Sequence, residues 1–172
     1  MPEIEVASID FNHSYLLSEI IRRISTALGF VVHNRDNVID LQDFYTVERS
    51  QYDAARILQY YERFITKDKA ILLTSVDLYL PIFTHVFGLA KLGGKAAIVS
   101  SYRLDNSLYG LPADDEKLQE RIVKEILHEF GHLYELRHCE NYLCVMASSN
   151  TADDLDVKYS AYCSKCSESL PA

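Results

Sequence analysis

Two histidines one helical turn apart, with a third close behind them, constrain this chain more than any other feature. His128, Glu129 and His132 lie in the string HEFGH, and His138 follows it. At 100° per residue, positions four apart differ by about 40° around a helix and one turn along it, so both imidazoles can reach one ion. An unbroken helix would carry His138 about 15 Å beyond His128, too far to share a metal whose bonds to nitrogen are about 2 Å. The helix therefore has to end, and the chain to double back, near residue 135.

The surrounding residues predict a helix for the first two histidines. Asp114 is placed as its N-cap, with Asp115 and Glu116 in the first turn, where the helix dipole favours anions. Ile122, Ile126, Phe130 and Leu133 form one apolar stripe, with Val123 and Leu127 beside it. The histidine pair falls off that stripe, and Glu129 lies between the two, whereas core histidines would sit within it. Three neutral imidazoles would leave a zinc ion its full charge, lowering the pKa of a bound water and polarising a carbonyl. Glu129, next to a ligand but not one itself, is placed to act as general base on that water. The competing reading is a set of solvated histidines, with Glu129 a surface glutamate like Glu125 and Glu135.

The four cysteines fall into two pairs, Cys139 with Cys144 and Cys163 with Cys166, spaced C-x4-C and C-x2-C. That spacing suits a tetrahedral structural zinc held by four thiolates. The alternatives are a redox pair at Cys163 and Cys166, or free thiols. Because Cys139 directly follows His138, a structural zinc would clamp the third histidine and organise a C-terminal segment poor in apolar residues. The expected metal content is thus two Zn2+ per chain, one catalytic and one structural.

At 172 residues the chain fits one domain, read here as a part spanning 1–136 with the sheet and active-site helix, and a small part spanning 137–172. A net charge of −8 argues against a nucleic-acid partner, which calls for a basic face. Acidic residues at positions 3, 5 and 10 do not suit a secretory signal, and no apolar run approaches the roughly 18 residues of a membrane span. The expectation is a cytoplasmic protein without a membrane partner, in a compartment where thiols bind metal more often than they pair.

Along the chain, Ile4–Ile9 reads as a strand, Ser14–Leu28 as a helix stopped by Gly29, and Phe30–His33 as a strand. Tyr52–Ile65 reads as a second helix, placing Tyr52, Tyr60 and Tyr61 at packing positions, and Ala70–Thr74 as a third strand. Val86–Lys91 and Ala96–Ser101 read as strands joined at Gly93 and Gly94. The alternation predicts an α/β (α+β) fold, a mostly parallel sheet packed on helices, with an irregular part after Leu136. His13, His33 and His85 have no ligand spacing.

From His128 to Cys166 the string HEFGHLYELRHCENYLCVMASSNTADDLDVKYSAYCSKC resembles the archaemetzincins, metzincin-type zinc peptidases with the pattern HExxHxxGxxHCx4CxMx17CxxC. Upstream, SVDLYLPIFTHVFGLA is similar to the family's segment before the active-site helix. The chain departs from the pattern at Glu135, where the family has glycine, and in the spacing between Met146 and Cys163, shorter by one. The resemblance implies a metzincin-like mixed twisted sheet. It also implies that Met146 is the Met-turn residue beneath the histidines. It makes Val86, Phe87, Gly88, Leu89 and Ala90 an antiparallel edge strand along which an extended peptide substrate binds. A non-glycine residue at position 135 costs about 1 kcal/mol or more if the turn there is left-handed.

Taken together, these features point to a zinc metallopeptidase. Two other readings stay open: a zinc-binding protein with the metzincin frame and little or no proteolysis, and an interaction module built on the four-cysteine site alone.

Overall fold

Strands of near-continuous aliphatic residues build the centre of the fold, and the computed structural model describes residues 2–35 and 39–171. Strands β1 (Glu3–Ser8), β2 (Val31–Arg35), β5 (Lys69–Thr74), β7 (Gly88–Ala90) and β8 (Ala96–Ser100) form one sheet in the order β2-β1-β5-β8-β7. All neighbours are parallel except the edge strand β7, which pairs antiparallel with β8. Both faces of β5 and β8 are covered, as their unbroken apolar runs require. Ile71, Leu73, Ala97 and Val99 face helices α1 (Leu17–Leu28) and α3 (Asp115–Leu133). The alternate residues Ala70, Leu72, Ala96 and Ile98 face α2 (Ala54–Tyr61). The result is a mixed α/β architecture with its core on both sides of the sheet.

Local chemistry sets several boundaries. Gly29 ends α1 in the left-handed conformation at φ 69°. Asp114 caps α3 by accepting from the Lys117 amide at 2.9 Å. The segment Tyr52–Asp53 is not the start of a helix. It belongs to strand β4 (Gln51–Asp53), which joins β3 (Tyr45–Thr46) and β6 (Leu78–Tyr79) in a second small sheet. The Asp53 carboxylate accepts from the Arg56 amide at 3.1 Å, so the cap falls inside the apolar-periodic run and delays the helix. The edge strand is also shorter than expected. Val86 bridges to Leu78 of the small sheet, and Phe87 precedes β7, its carbonyl accepting from Ser100 N at 2.8 Å.

Helix α3 is buried on every side from Arg121 to Gly131 rather than along one stripe. The sheet and α1 cover its apolar face, and the C-terminal segment covers the rest through polar contacts. The Arg121 guanidinium forks onto Asp156 at 2.7 Å through two hydrogen bonds, and Lys124 Nζ donates to Leu155 O at 3.0 Å. That segment is not wholly irregular. It carries α4 (Ala152–Val157), opened by a Thr151–Asp154 capping box, and the single turn α5 (Ser164–Ser167). Among the described residues no helix is long and apolar enough to cross a membrane.

Candidate metal centres

Helix α3 ends at the point the histidine spacing demands. Glu135 adopts φ 65°, Glu135 N donates to His132 O at 3.0 Å, and Leu136 N donates to Gly131 O at 3.0 Å. This hydrogen-bond pair around one left-handed residue is a Schellman motif, made without the usual glycine. Neighbouring groups hold the turn. Gly93 N adds a second hydrogen bond to His132 O at 2.9 Å, and Lys69 Nζ donates to Leu133 O at 3.0 Å, a carbonyl that the helix end leaves open.

The reversal brings His138 back to the other two rings. Ring centroids lie 4.7 Å apart for His128 and His132, 5.3 Å for His128 and His138, and 5.2 Å for His132 and His138. The Nε2 atoms of His128 and His132 are 3.1 Å apart. Two nitrogens on a tetrahedral zinc, with bonds of about 2.0–2.1 Å, stand about 3.3 Å apart, so the donor set fits that ion. The rings are oriented by main-chain carbonyls: His128 Nδ1 on Val145 O at 2.9 Å and His132 Nδ1 on Leu136 O at 2.7 Å. A carbonyl only accepts, so Nδ1 carries the hydrogen and each Nε2 offers a lone pair. Burial pushes the His128 pKa down to about 3 and lowers that of His132, keeping both neutral, as ligation requires. His128 is thus buried and His132 half-buried, although both lie off the apolar stripe.

Beside the rings lie two buried carboxyls one helical turn apart, Glu125 and Glu129, each only 5% exposed. Burial raises the Glu129 pKa well above the usual carboxylate range, and the neighbouring Glu125 raises it further. Glu125 is raised by burial as well, so it is not the surface residue its type suggests. The ammonium of Lys158, also buried, offsets part of this charge and donates to Ala147 O beside Met146. Met146 is fully buried under α3, where a Cβ on Gly131 would meet its Sδ at 2.3 Å. Glycine at position 131 is therefore a condition of that packing.

A cleft of about 500 Å³ opens over this site, within the usual range for ligand pockets. His128, Glu129, His138 and Lys158 form part of its wall, and Val86, Phe87 and Gly88 another part. Leu89 and Ala90 instead line a separate groove against α2.

The four cysteines converge as a second group, their sulfurs all within 4.8 Å of one another, rather than as the Cys163–Cys166 pair alone. All are free thiols, and Cys139 Sγ lies 3.8 Å from Cys163 Sγ. Zinc–sulfur bonds of about 2.3 Å in a tetrahedron give about 3.8 Å between sulfurs. The Cys166 amide brings the Cys163 thiol down to about 7, whereas burial raises the Cys144 and Cys166 thiols. Cys139 N donates to Met146 O at 2.9 Å, tying this group to the histidine site.

Several supporting residues carry no motif: Lys69 at the helix end, Lys158 beneath the cleft, and Tyr162, whose hydroxyl donates to Leu127 O at 2.6 Å. Gly131 alone left a trace in the sequence, as a glycine inside a helix, where it costs about 1 kcal/mol against alanine.

The chain and its fold have known counterparts. The model of peptidase family M54 matches residues 3–172. An archaemetzincin from Pyrococcus horikoshii is 41% identical over 77% of this chain and 73% of its own length. One from Haloquadratum walsbyi is 35% identical over 90% and 94%. A crystal structure of a zinc-dependent peptidase from Methanocorpusculum labreanum superposes with a TM-score of 0.87 at 33% identity, covering 98% of this chain and 100% of that one. The archaemetzincin of Methanopyrus kandleri superposes at 0.85 and 32%, covering 98% and 93%. With its mostly parallel sheet, long central helix and cysteine cluster, the chain belongs to the archaemetzincins, the zinc metallopeptidases of peptidase family M54.

Proposed function

We propose that this chain hydrolyses peptide bonds at the cleft, with zinc held by His128, His132 and His138 and with Glu129 as general base. The reading is carried by one observation: three imidazoles with ligating nitrogens within 4.8 Å of one another stand beside a buried carboxyl at the wall of a single cleft. A zinc ion there supplies Lewis acidity, polarising the scissile carbonyl and acidifying water. Glu129 takes the proton from the attacking water as the oxygen–carbon bond forms, then delivers it to the leaving amine as the carbon–nitrogen bond breaks. The substrate lies extended along the free edge of β7, held by main-chain hydrogen bonds that are indifferent to side chain. A second zinc, on Cys139, Cys144, Cys163 and Cys166, fixes the segment that follows His138.

The Glu135 departure gives no support to an inactive frame, because the left-handed turn forms and His138 stays in reach. Cleavage of a peptide library by the zinc-loaded protein tests the proposal, with Glu129→Ala as comparison. The variant should keep its zinc and lose about 10²-fold or more in rate. Equal cleavage by both proteins overturns the role of Glu129.

A further inference from the structure

The Glu129 side chain lies against strand β7, and the residue it touches has no side chain. A Cβ built on Gly88 would stand 2.8 Å from Glu129 Cγ and 2.9 Å from Glu129 Oε1. Ordinary carbon contacts are about 3.5–4.0 Å, so a methyl group at position 88 and this placement of Glu129 exclude one another. The Ile98 carbonyl oxygen, at 3.0 Å, closes a further direction.

The backbone accounts for glycine here only in part, through the Ile98 carbonyl, and not through the residue's own conformation. Gly88 is not among the residues with positive φ, and it pairs with Val99 in a regular antiparallel ladder, where a β-branched residue would fit better. Nor can Glu129 readily move aside, because its Cα is fixed in α3, it is 5% exposed and it is in contact with Glu125.

We propose that Gly88 is a positioning residue: its missing side chain is the slot that holds the Glu129 carboxylate between helix α3 and the edge strand. The inference rests on the reading of Glu129 as general base. It also explains how that carboxylate comes to lie beside the strand along which the substrate is held. A peptide running on β7 then passes its scissile bond over the place where Gly88 and the base touch.

The experiment reads kcat, KM and zinc content of Gly88→Ala in the zinc-loaded protein, and thermal unfolding of Gly88→Ala in the parent and Glu129→Ala backgrounds. Gly88→Ala should lower kcat by 10²-fold or more, with KM within threefold and zinc unchanged, and full kcat overturns the inference. In the Glu129→Ala background, where the Cγ and Oε1 that a Cβ at position 88 would meet are gone, adding Gly88→Ala should lower the unfolding temperature by less than half as much as it does in the parent. An equal drop in both backgrounds overturns the inference. If Gly88→Ala alone does not fold, the double variant decides: folding of Gly88→Ala/Glu129→Ala supports the slot, and its failure to fold overturns it. Glu129→Ala alone separates the two proposals: if it retains activity, the general-base reading fails, whereas its inactivity beside an active Gly88→Ala sinks only the slot.

Discussion

Replacing Glu135 by glycine should stabilise the protein, because it removes a strained backbone position without removing a contact the fold needs. Glu135 sits at φ 65° in the turn that ends α3, and the hydrogen bonds of that turn use only main-chain groups of Gly131, His132, Glu135 and Leu136. A left-handed conformation costs a residue with a Cβ about 1–2 kcal/mol. Against this stand the extra unfolded-state freedom of glycine, about 0.4–1 kcal/mol, and an exposed attraction to Lys69 that contributes little. The net gain is about 0.5–1 kcal/mol. For a chain of 172 residues this raises the midpoint of thermal unfolding by about 1–4 °C at fixed zinc concentration. Glu135→Val probes the same position in the opposite sense, since a β-branched residue fits the left-handed region worse, and should lower stability by about 1 kcal/mol. A glycine variant no more stable than the parent, together with an unaffected valine variant, would refute the left-handed turn on which the approach of His138 depends.

Two further substitutions test the packing around the site. Gly131→Ala should lose stability by about 1–2 kcal/mol, because overpacking against Met146 and Leu136 outweighs the roughly 1 kcal/mol that alanine gains in a helix. Calorimetry should show the loss relieved when Met146→Ala is added, and a rise in the single variant would contradict the close contact. Arg121→Met should cost about 2–4 kcal/mol near neutral pH, by leaving partly buried Asp156 without its forked partner. Burial pushes the Asp156 pKa up, but hydrogen bonds from Arg121 and Lys117 outweigh it and leave the pKa depressed. Its contribution is therefore full above the unfolded carboxylate pKa of about 3.9 and is lost as pH falls through the lower folded value. Urea unfolding at pH 6 and pH 3 should show the gap between parent and variant narrowing in acid, and a constant gap would rule out this pairing.

What the sequence disclosed was mostly local or periodic. Asp114, Gly29 and the apolar stripe of α3 act on their own neighbours, and the HEFGH spacing with His138 requires a chain reversal whatever surrounds it. Residues whose state depends on distant partners were not legible. Tyr52 and Asp53 are strand because Leu78 and Tyr79 pair with them across the chain. Val86 leaves the edge strand because Leu78 claims its backbone. Glu125 reads as a solvated helix residue until the segment carrying Lys158 folds over it. Gly88 looks like one residue of a weak strand, and only the position of Glu129 in space gives it a task.

Zinc content per chain is the most direct test of two separate metal centres, measured by elemental analysis after dialysis against buffer without free zinc. The account predicts two zinc ions in the parent protein, one in His132→Ala and one in Cys163→Ser. A single zinc in the parent that survives His132→Ala unchanged would contradict it, leaving the histidines without a metal and the cleft without its chemistry.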